Sequence, residues 1–316
     1  MLKYIARRLA MLIVVVIGVT LITFTMMHLA PGDPAELTAI ARYGLENLTA
    51  ENIEYIRVTE GLDAPLYIQY LRWLGRTVRG DLGYSLVTGD PVQEEILLKL
   101  PTTFQLALAA LCVSLLIAVP AGIISAVKQH SPLDYLTMTG ALLGVSMPNF
   151  WLGLLLILLF AVTLKWLPVY GYGGLRHMIL PAVTLGMGMA AITTRLTRSS
   201  LLHVLEQDYI ITARSKGLPE RKVVFGHALK NSLIPVITIV GLQIGHLLEG
   251  TVIVESIFAW PGLGKLLVDS IFARDFSMIQ GCVFLFAILF VLVNLLVDIL
   301  YVYLDPRIRY ERENSF

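Results

Sequence analysis

Three groups of residues in this chain have types and spacing that could do chemistry. Residues 201–232 form a charged stretch between two long apolar segments. Gln243, His246 and Glu249 recur at intervals of three inside an apolar segment, and residues 261–265 read Pro-Gly-Leu-Gly-Lys, with the glycines and lysine of a phosphate-binding loop. The chemistries implied are protein docking, contact with a transported solute and nucleotide binding, respectively.

The glycine-rich run does not fit a nucleotide site. It lacks the first glycine at the required spacing, and Leu266 stands where Ser or Thr would coordinate magnesium. No Ser-His-Asp arrangement, HExxH pair or paired catalytic carboxylates occur in the sequence, and Cys112 and Cys282 have no ligands at metal-binding spacing. We predict a turn at residues 261–265 and a chain with no catalytic, cofactor or metal site of its own.

Gln243, His246 and Glu249 lie loosely along one face of a helix. An ionisable group inside a membrane is a functional candidate by default, so His246 and Glu249 could contact substrate, contact a cation or hydrogen-bond to a neighbouring subunit. One histidine and one carboxylate make an incomplete metal site. The contact between subunits is therefore favoured, and the other two roles stay open.

The elements that position these residues must be membrane helices. Of 316 residues, 56% are hydrophobic and 15% are charged, and the mean hydropathy is +0.74. A soluble domain carries about 25% charged residues, and a bilayer crossing needs about 20 apolar ones. Six predicted transmembrane helices lie at about residues 9–30, 101–127, 135–164, 177–198, 232–254 and 276–304.

The predicted fold is an all-α membrane protein whose N and C termini are cytoplasmic. Short loops rich in Lys and Arg stay in the cytoplasm. With the N terminus inside, fourteen basic residues fall on the cytoplasmic side and four in the two short outer loops. Residues 1–100 then hold the first helix and a folded extracytoplasmic segment, residues 101–304 the transmembrane domain, and residues 305–316 a cytoplasmic tail.

The extracytoplasmic segment is acidic and contains an amphipathic helix. Residues 31–100 carry eleven acidic and six basic residues, a net charge of −5. Apolar residues recur with helical spacing over residues 62–74. We expect Tyr70 and Trp73 of this helix to lie at the membrane interface.

Residues 201–232, which we call the elbow, are too many for a simple connector. Helical periodicity covers residues 206–216, Gly217 suits the C′ position because glycine tolerates positive φ, and Pro219 suits the first position of a second short helix. We predict a compact helix-turn-helix at the membrane surface. The extra length favours a docking element for another protein, and a solvated connector is the alternative.

The elbow resembles the EAA loop of ABC importer permeases. The small-residue pair and the glycine of that loop correspond to Thr212-Ala213 and Gly217, and Ile211 replaces its usual glutamate. The wider string is similar to the dipeptide, oligopeptide and nickel permease branch, in its first-permease (B-type) form. The residues that carry the resemblance, and the ATPase coupling that it implies, are Asp208, Tyr209, Thr212, Ala213, Arg214, Lys216, Gly217, His227 and Asn231.

These residue types suit docking on an ATPase. The small residues Ala213 and Gly217 would let a partner approach the backbone, and Tyr209 would anchor the interface. Arg214 and Lys216 would pair with acids of the partner. Closure of two ATPases would then draw helix ends together and exchange inward and outward access.

A second block extends the resemblance. Glu255, Trp260, Pro261 and Gly262 are similar to the outer re-entrant element of the same branch, which dips into the pore mouth. Irregular backbone of this kind is tolerated at membrane depth where protein covers it.

A third block places a proline inside a predicted span. Pro148 should kink that helix and expose Ser146 and Asn149 to the pathway. The alternative is a kink that serves packing alone.

The resemblance implies a permease of the ABC type-1 fold that forms half of a translocation pathway. Its partners would be a second homologous permease in a heterodimer, one or two ATPase subunits that use ATP and magnesium, and an extracytoplasmic solute-binding protein. The chain would lie in the lipid bilayer of a bacterial or archaeal inner membrane and bind no nucleic acid.

The cargo expected first is a di- or oligopeptide, with nickel, a nickel chelate or glutathione as alternatives on the same architecture. A competing class is an ion-coupled secondary transporter without an ATPase. Such a carrier should show clustered acids or broken helices at mid-membrane, often in repeated halves. His246 and Glu249 alone meet that description, and no duplicated hydropathy pattern occurs.

Overall fold

A computed structural model of the chain describes residues 2–29 and 31–304. Side chains at 2–9, 41, 248, 249, 298 and 300–304 lie outside this description, as do the predicted tail at 305–316 and therefore the role considered for Glu249. The chain divides into two compact units. The first unit combines Met1–Thr103 with Pro261–Leu292, and the second combines Phe104–Trp260 with Val293–Phe316.

The described residues form thirteen α-helices. Wider π-helical turns continue the seventh helix over Ile157–Thr163 and join the tenth to the eleventh over Val223–Ala228. The helices are α1 Leu2–Leu29, α2 Pro34–Tyr43, α3 Ala50–Thr59, α4 Leu66–Val78, α5 Val92–Val127, α6 Pro132–Ser146, α7 Asn149–Leu156, α8 Leu175–Leu205, α9 Asp208–Ser215, α10 Glu220–Lys222, α11 Leu229–Ile257, α12 Leu263–Ala273 and α13 Phe276–Leu304.

Helix length and composition fit the predicted set of spans. Among the described residues, five helical stretches are long and apolar enough to cross a membrane, and α6 with α7 makes six if that bent pair is one crossing. The helix α5 begins at Val92, ahead of the predicted residue 101. Val92 and Ile96 are spaced four residues apart and are both buried in the core of the first unit. Their packing extends the helix towards the N terminus.

Pro148 breaks its span. The sequence predicts a kinked but continuous helix, whereas α6 and α7 meet at an angle of 110°. Met147 and Pro148 both adopt extended backbone, with ψ of 124° and 139°. A residue that precedes proline is disfavoured in the helical region, so α6 ends before Met147.

Aromatic packing joins α1 and α4 in the first unit. The Tyr70 hydroxyl lies 3.0 Å from Thr20 Oγ1, and its ring contacts Phe24 edge to face. Trp73 packs edge to face on Phe284 of α13. Both Tyr70 and Trp73 are buried against protein rather than exposed to the bilayer. The rings find apolar partners on two long helices, which removes them from the surface.

A buried carboxylate closes the same unit. Asp275 precedes α13 and accepts hydrogen bonds from the Ser85 hydroxyl, from the Leu86 N–H at 3.2 Å and from the Met278 N–H at 3.1 Å. Asp275 therefore caps α13 and holds the loop before α5 against the start of α13.

Helix α8 lies at the centre of the second unit. It packs against α6, α7 and α11, and half of its most apolar stretch is buried. It also approaches α5 closely at two glycines. A Cβ atom at Gly122 would lie 2.6 Å from Thr197 Cβ, and one at Gly186 would lie 2.7 Å from the Ala110 carbonyl oxygen. These glycines set the spacing between α5 and α8.

Replacement of Gly122 with Ala should destabilise the protein by about 1–3 kcal/mol, because the methyl group overpacks the contact with Thr197. Gly140→Ala is the matched control, since no atom outside its own helix lies within 4 Å and alanine favours a helix. Thermal unfolding of the detergent-purified chain, followed by circular dichroism, measures both. Equal midpoints for the two variants would contradict the close α5–α8 packing.

Candidate functional site

The elbow turns sharply after α9. Gly217 follows the C-cap with φ of 76°, a conformation that glycine adopts without strain. Its N–H donates to the Arg214 carbonyl at 2.9 Å, and the N–H of Leu218 donates to the Ala213 carbonyl at 3.4 Å. These two bonds form a Schellman motif, so the prediction of Gly217 at C′ is confirmed. Pro219 is the N-cap of α10, one position before the site predicted for it.

An apolar cluster fixes α9 to the ends of longer helices. Its α9 members are spaced three residues apart and therefore share one face of that helix. Burial of a side chain such as that of Ile210 contributes about 1.5–3 kcal/mol. We call this the anchor cluster; it consists of Ala126, Leu201, Val204, Ile210, Ala213, Val223, Val224 and Ala228. It joins α9 to the end of α5, the end of α8 and the turn that leads into α11.

Ala213 faces inward. Its exposed fraction is 8%, and its small side chain lets α9 approach the other members of the anchor cluster. Ala213 was expected to let a partner protein approach the backbone. Because its side chain is buried inside the elbow, it is not available for that contact. Gly217 is exposed, with open space where a side chain would begin.

Arg214 pairs within the elbow. Its Nη2 lies 2.6 Å from Glu220 Oε1 and its Nε lies 3.2 Å from Oε2, while Nη1 donates to the Leu205 carbonyl at 3.3 Å. The hydrogen bond to Glu220 raises the pKa of Arg214. The expected pairing with acids of a partner thus has an internal competitor. Both side chains are substantially exposed, so the pair mainly orients the turn between α9 and α10.

Some apolar side chains of the elbow are exposed. Ile211 is 53% exposed and Tyr209 is 44% exposed, and the Tyr209 hydroxyl accepts a hydrogen bond from Asn231 Nδ2 at 2.8 Å. The other residues of the resembling string that are exposed include Asp208, Thr212, Lys216 and His227. Apolar side chains rimmed by polar ones mark an interaction surface.

Family comparison identifies the class of protein that carries this elbow. Residues 118–310 match the model of the binding-protein-dependent transport system inner membrane component, and residues 1–107 match the N-terminal model of the same kind of membrane component. The chain belongs to this permease family. The charged loop between apolar helices is thus part of an inner-membrane transport component.

Three relatives resemble the permease over nearly its whole length. The di/tripeptide transport system permease protein DppB of Pseudomonas aeruginosa is 44% identical, covering 99% of this chain and 100% of the relative. The glutathione permease GsiC of Escherichia coli (strain K12) is 45% identical, and the oligopeptide permease AppB of Bacillus subtilis is 44% identical. Each of these two matches covers 98% of this chain and all of the relative.

Solved structures support the fold. A chain from the inward-facing MetNI methionine ABC transporter superposes with a TM-score of 0.57 at 16% identity. The match covers 67% of the permease and 96% of that chain. The ABC importer permease architecture is therefore shared at low sequence identity.

A buried ion pair lies near the elbow, and the sequence analysis did not identify it. Asp134, which is 3% exposed, accepts hydrogen bonds from Arg198 Nε at 2.7 Å and Nη2 at 2.8 Å. It also accepts from the Ser125 hydroxyl and from the His130 N–H. The network joins the end of α5, the start of α6 and α8. A visible signal was the capping pattern Ser-Pro-Leu-Asp at residues 131–134.

The polar residues of α11 do not share one environment. Gln243 is buried and its Oε1 accepts a hydrogen bond from Thr193 of α8 at 3.1 Å, whereas His246, one turn on, is exposed. Ser200 of α8 also donates to the Ser232 carbonyl at the start of α11. The structure thus uses Gln243 to hold α8 and α11 together and separates it from His246.

The residues around the Pro148 break occupy two environments. Ser146 is exposed, and its hydroxyl donates to the Leu142 carbonyl of its own helix. Asn149 is half-buried, and its side-chain amide lies beside Gly188 of α8 and Gly250 of α11. Asn149 therefore lies against the two central helices of the second unit.

Glu255 and Trp260 are core residues. Both are almost fully buried, and the Trp260 N–H donates to the Glu255 carbonyl at 2.8 Å. The Trp260 ring contacts Tyr172 edge to face. Their burial in the second unit differs from the expectation of a pore-mouth lining.

The predicted turn at residues 261–265 is shorter than expected. Pro261 and Gly262 complete it, and α12 begins at Leu263 with Gly262 as its N-cap. The Thr103 hydroxyl accepts from the Leu263 N–H, which fixes the start of that helix.

Replacement of Asp134 with Asn should destabilise the permease by about 3 kcal/mol, because it leaves the partly buried Arg198 guanidinium without its counter-charge. Asp269→Asn removes an exposed pair with Lys265 and should cost at most about 1 kcal/mol. Thermal unfolding in detergent compares the two variants. A midpoint for Asp134→Asn as high as that of the control would show that the buried pair does not hold the helix ends.

Proposed function

We propose that this permease forms half of the pathway of an ATP-driven importer and that its elbow receives the movement of a partner ATPase. One observation carries the proposal. A short helix buries Ile210 and Ala213 in the anchor cluster while the neighbouring side chains of Tyr209 and Ile211 stay exposed. The buried side chains fix the position of α9, and the exposed side chains remain available to a partner.

The anchor cluster supplies the mechanical connection. A force on α9 acts directly on the ends of α5 and α8 and on the turn before α11, because side chains of all these elements belong to one apolar core. Packed cores transmit displacement rather than absorb it, since they are close-packed and of low compressibility. The Asp134–Arg198 pair extends the connection to α6.

The energy source in this proposal lies in the partner. Its ATPase subunits, one kind or two, would bind ATP with magnesium, and the permease would bind neither. Exposed Ile211 stands where the resembling loops carry a glutamate, so we propose that it contacts an apolar part of the ATPase surface. Lys216, which is also exposed, would supply a charge at the rim of that contact.

The remaining partners are a second homologous permease and an extracytoplasmic solute-binding protein. With the N terminus in the cytoplasm, the elbow lies on the ATPase side of the membrane. Di- and oligopeptides are the proposed cargo, because two relatives at 44% identity are named for di/tripeptide and oligopeptide transport. Glutathione is the second candidate, supported by GsiC at 45% identity.

Ile211→Lys should reduce recovery of an ATPase with the tagged chain by about tenfold, because a charged group enters an apolar contact that contributes more than 1 kcal/mol. Ile271→Lys is the matched control, with an equally exposed isoleucine on α12. The measurement is quantitative mass spectrometry of proteins recovered from detergent-solubilised membranes, together with uptake of a labelled tripeptide by cells.

Two results would overturn the docking role. The first is unmodified permease that transports the tripeptide into liposomes without any ATPase. The second is Ile211→Lys permease that recovers as much ATPase as the Ile271→Lys control. Loss of peptide uptake with ATPase recovery intact would contradict the assigned position of Ile211 in the coupling surface.

A further inference from the structure

The first unit contains a cavity at the end of α1. Its volume is about 640 Å³, within the range of small-ligand sites, which is about 300–1,000 Å³. Phe24, Met27 and Leu71 give it apolar walls, and Arg72, Arg76 and Arg79 line it as well. A cavity with these two kinds of wall suits a ligand that is anionic at one end and apolar at the other.

The three arginines share one side of α4. Their spacing of four and then three residues places them along a single face of the helix. Among the described side chains, none of the three arginines belongs to an ion pair. By contrast, Arg42 pairs with Glu60, and Arg57 pairs with Asp33 and Glu54. The segment holds eleven acidic residues, yet in the part of the chain that the structure describes none of them forms an ion pair with these three guanidinium groups.

Two further groups bear on the charge of the cavity. Glu60 lines it, but Arg42 Nη2 lies 2.7 Å from Glu60 Oε1 and offsets that charge. The indole N–H of Trp73 is buried and has no hydrogen-bond partner among the described residues. An acceptor oxygen in the cavity would satisfy a donor of this kind, whose burial is otherwise costly.

The cavity lies at the ends of two helical stretches that are long and apolar enough to cross a membrane. Residues Ala10–Leu29 of α1 form a membrane span, and Phe24, Met27 and His28 belong to its last two turns. Phe276 and Gln280, which also line the cavity, belong to the first turns of the span in α13. A site at the ends of two spans meets the phosphate and glycerol layer of the bilayer.

We infer that this cavity binds the headgroup of an anionic phospholipid. The phosphodiester lies among Arg72, Arg76 and Arg79, where guanidinium groups offer paired N–H donors to phosphate oxygens. The glycerol and first methylene groups lie against Phe24 and Met27. The inference is independent of the proposed importer function, because every residue that carries it belongs to the first unit and none to the elbow.

The test uses the full chain purified in a neutral detergent, with dioctanoyl phosphatidylglycerol as the probe. Native mass spectrometry counts bound lipid as its concentration rises. Arg76→Gln should weaken binding about tenfold, the loss that accompanies removal of one hydrogen bond to a charged group. Arg79→Gln should act in the same direction. Arg176→Gln, at an exposed arginine of the second unit, should leave binding unchanged.

Further measurements distinguish a lipid headgroup from a soluble anion and from a protein partner. Dioctanoyl phosphatidylcholine, whose headgroup has no net charge, should bind more weakly than phosphatidylglycerol. Inorganic phosphate that displaces phosphatidylglycerol at equal concentration would overturn the inference in favour of a soluble anion. Equal lipid binding by Arg76→Gln and Arg176→Gln would also overturn it. So would loss of solute-binding-protein recovery in Arg76→Gln with lipid binding intact, since the arginines would then belong to a protein interface.

Discussion

The arrangement of the elbow depends on burial of one face of an eight-residue helix. A helix as short as α9 is not stable alone in water, so its geometry comes from what it packs against. Ile210 and Ala213 supply that contact, and the Schellman turn at Gly217 brings Val223 and Val224 back to the same cluster. The exposed Tyr209 and Ile211 keep a fixed position because Ile210 and Ala213 of the same helix are held in the anchor cluster.

Paired polar groups complete what apolar packing begins. Asp134 with Arg198, Gln243 with Thr193 and Asp275 with Ser85 each join segments distant in sequence. A buried polar group without a partner is costly, so each of these hydrogen bonds favours the arrangement in which its two segments meet. Such pairs add geometric specificity to helix contacts that lipid-like apolar surfaces alone would leave loosely defined.

Several local features were predictable from neighbouring residues. Hydropathy located the spans, the glycine at 217 indicated the C′ position, and Pro148 indicated an interruption. The size of that interruption was not predictable, since the angle of 110° between α6 and α7 depends on how both helices pack against the distant helices of the second unit. The association of residues 261–292 with residues 1–103 is also invisible to local patterns.

The sequence by itself determined the membrane class, the approximate place of the apolar spans and the residues of the elbow, because hydrophobicity, helix periodicity and turn chemistry act over a few neighbours. The tertiary structure alone decided which way those residues face. Ala213 turns inward, Arg214 meets Glu220, and Tyr70 and Trp73 leave the surface. Arg214 and Glu220 are six residues apart, but the burial of Ala213, Tyr70 and Trp73 depends on partners far along the chain, which only folding brings within contact distance.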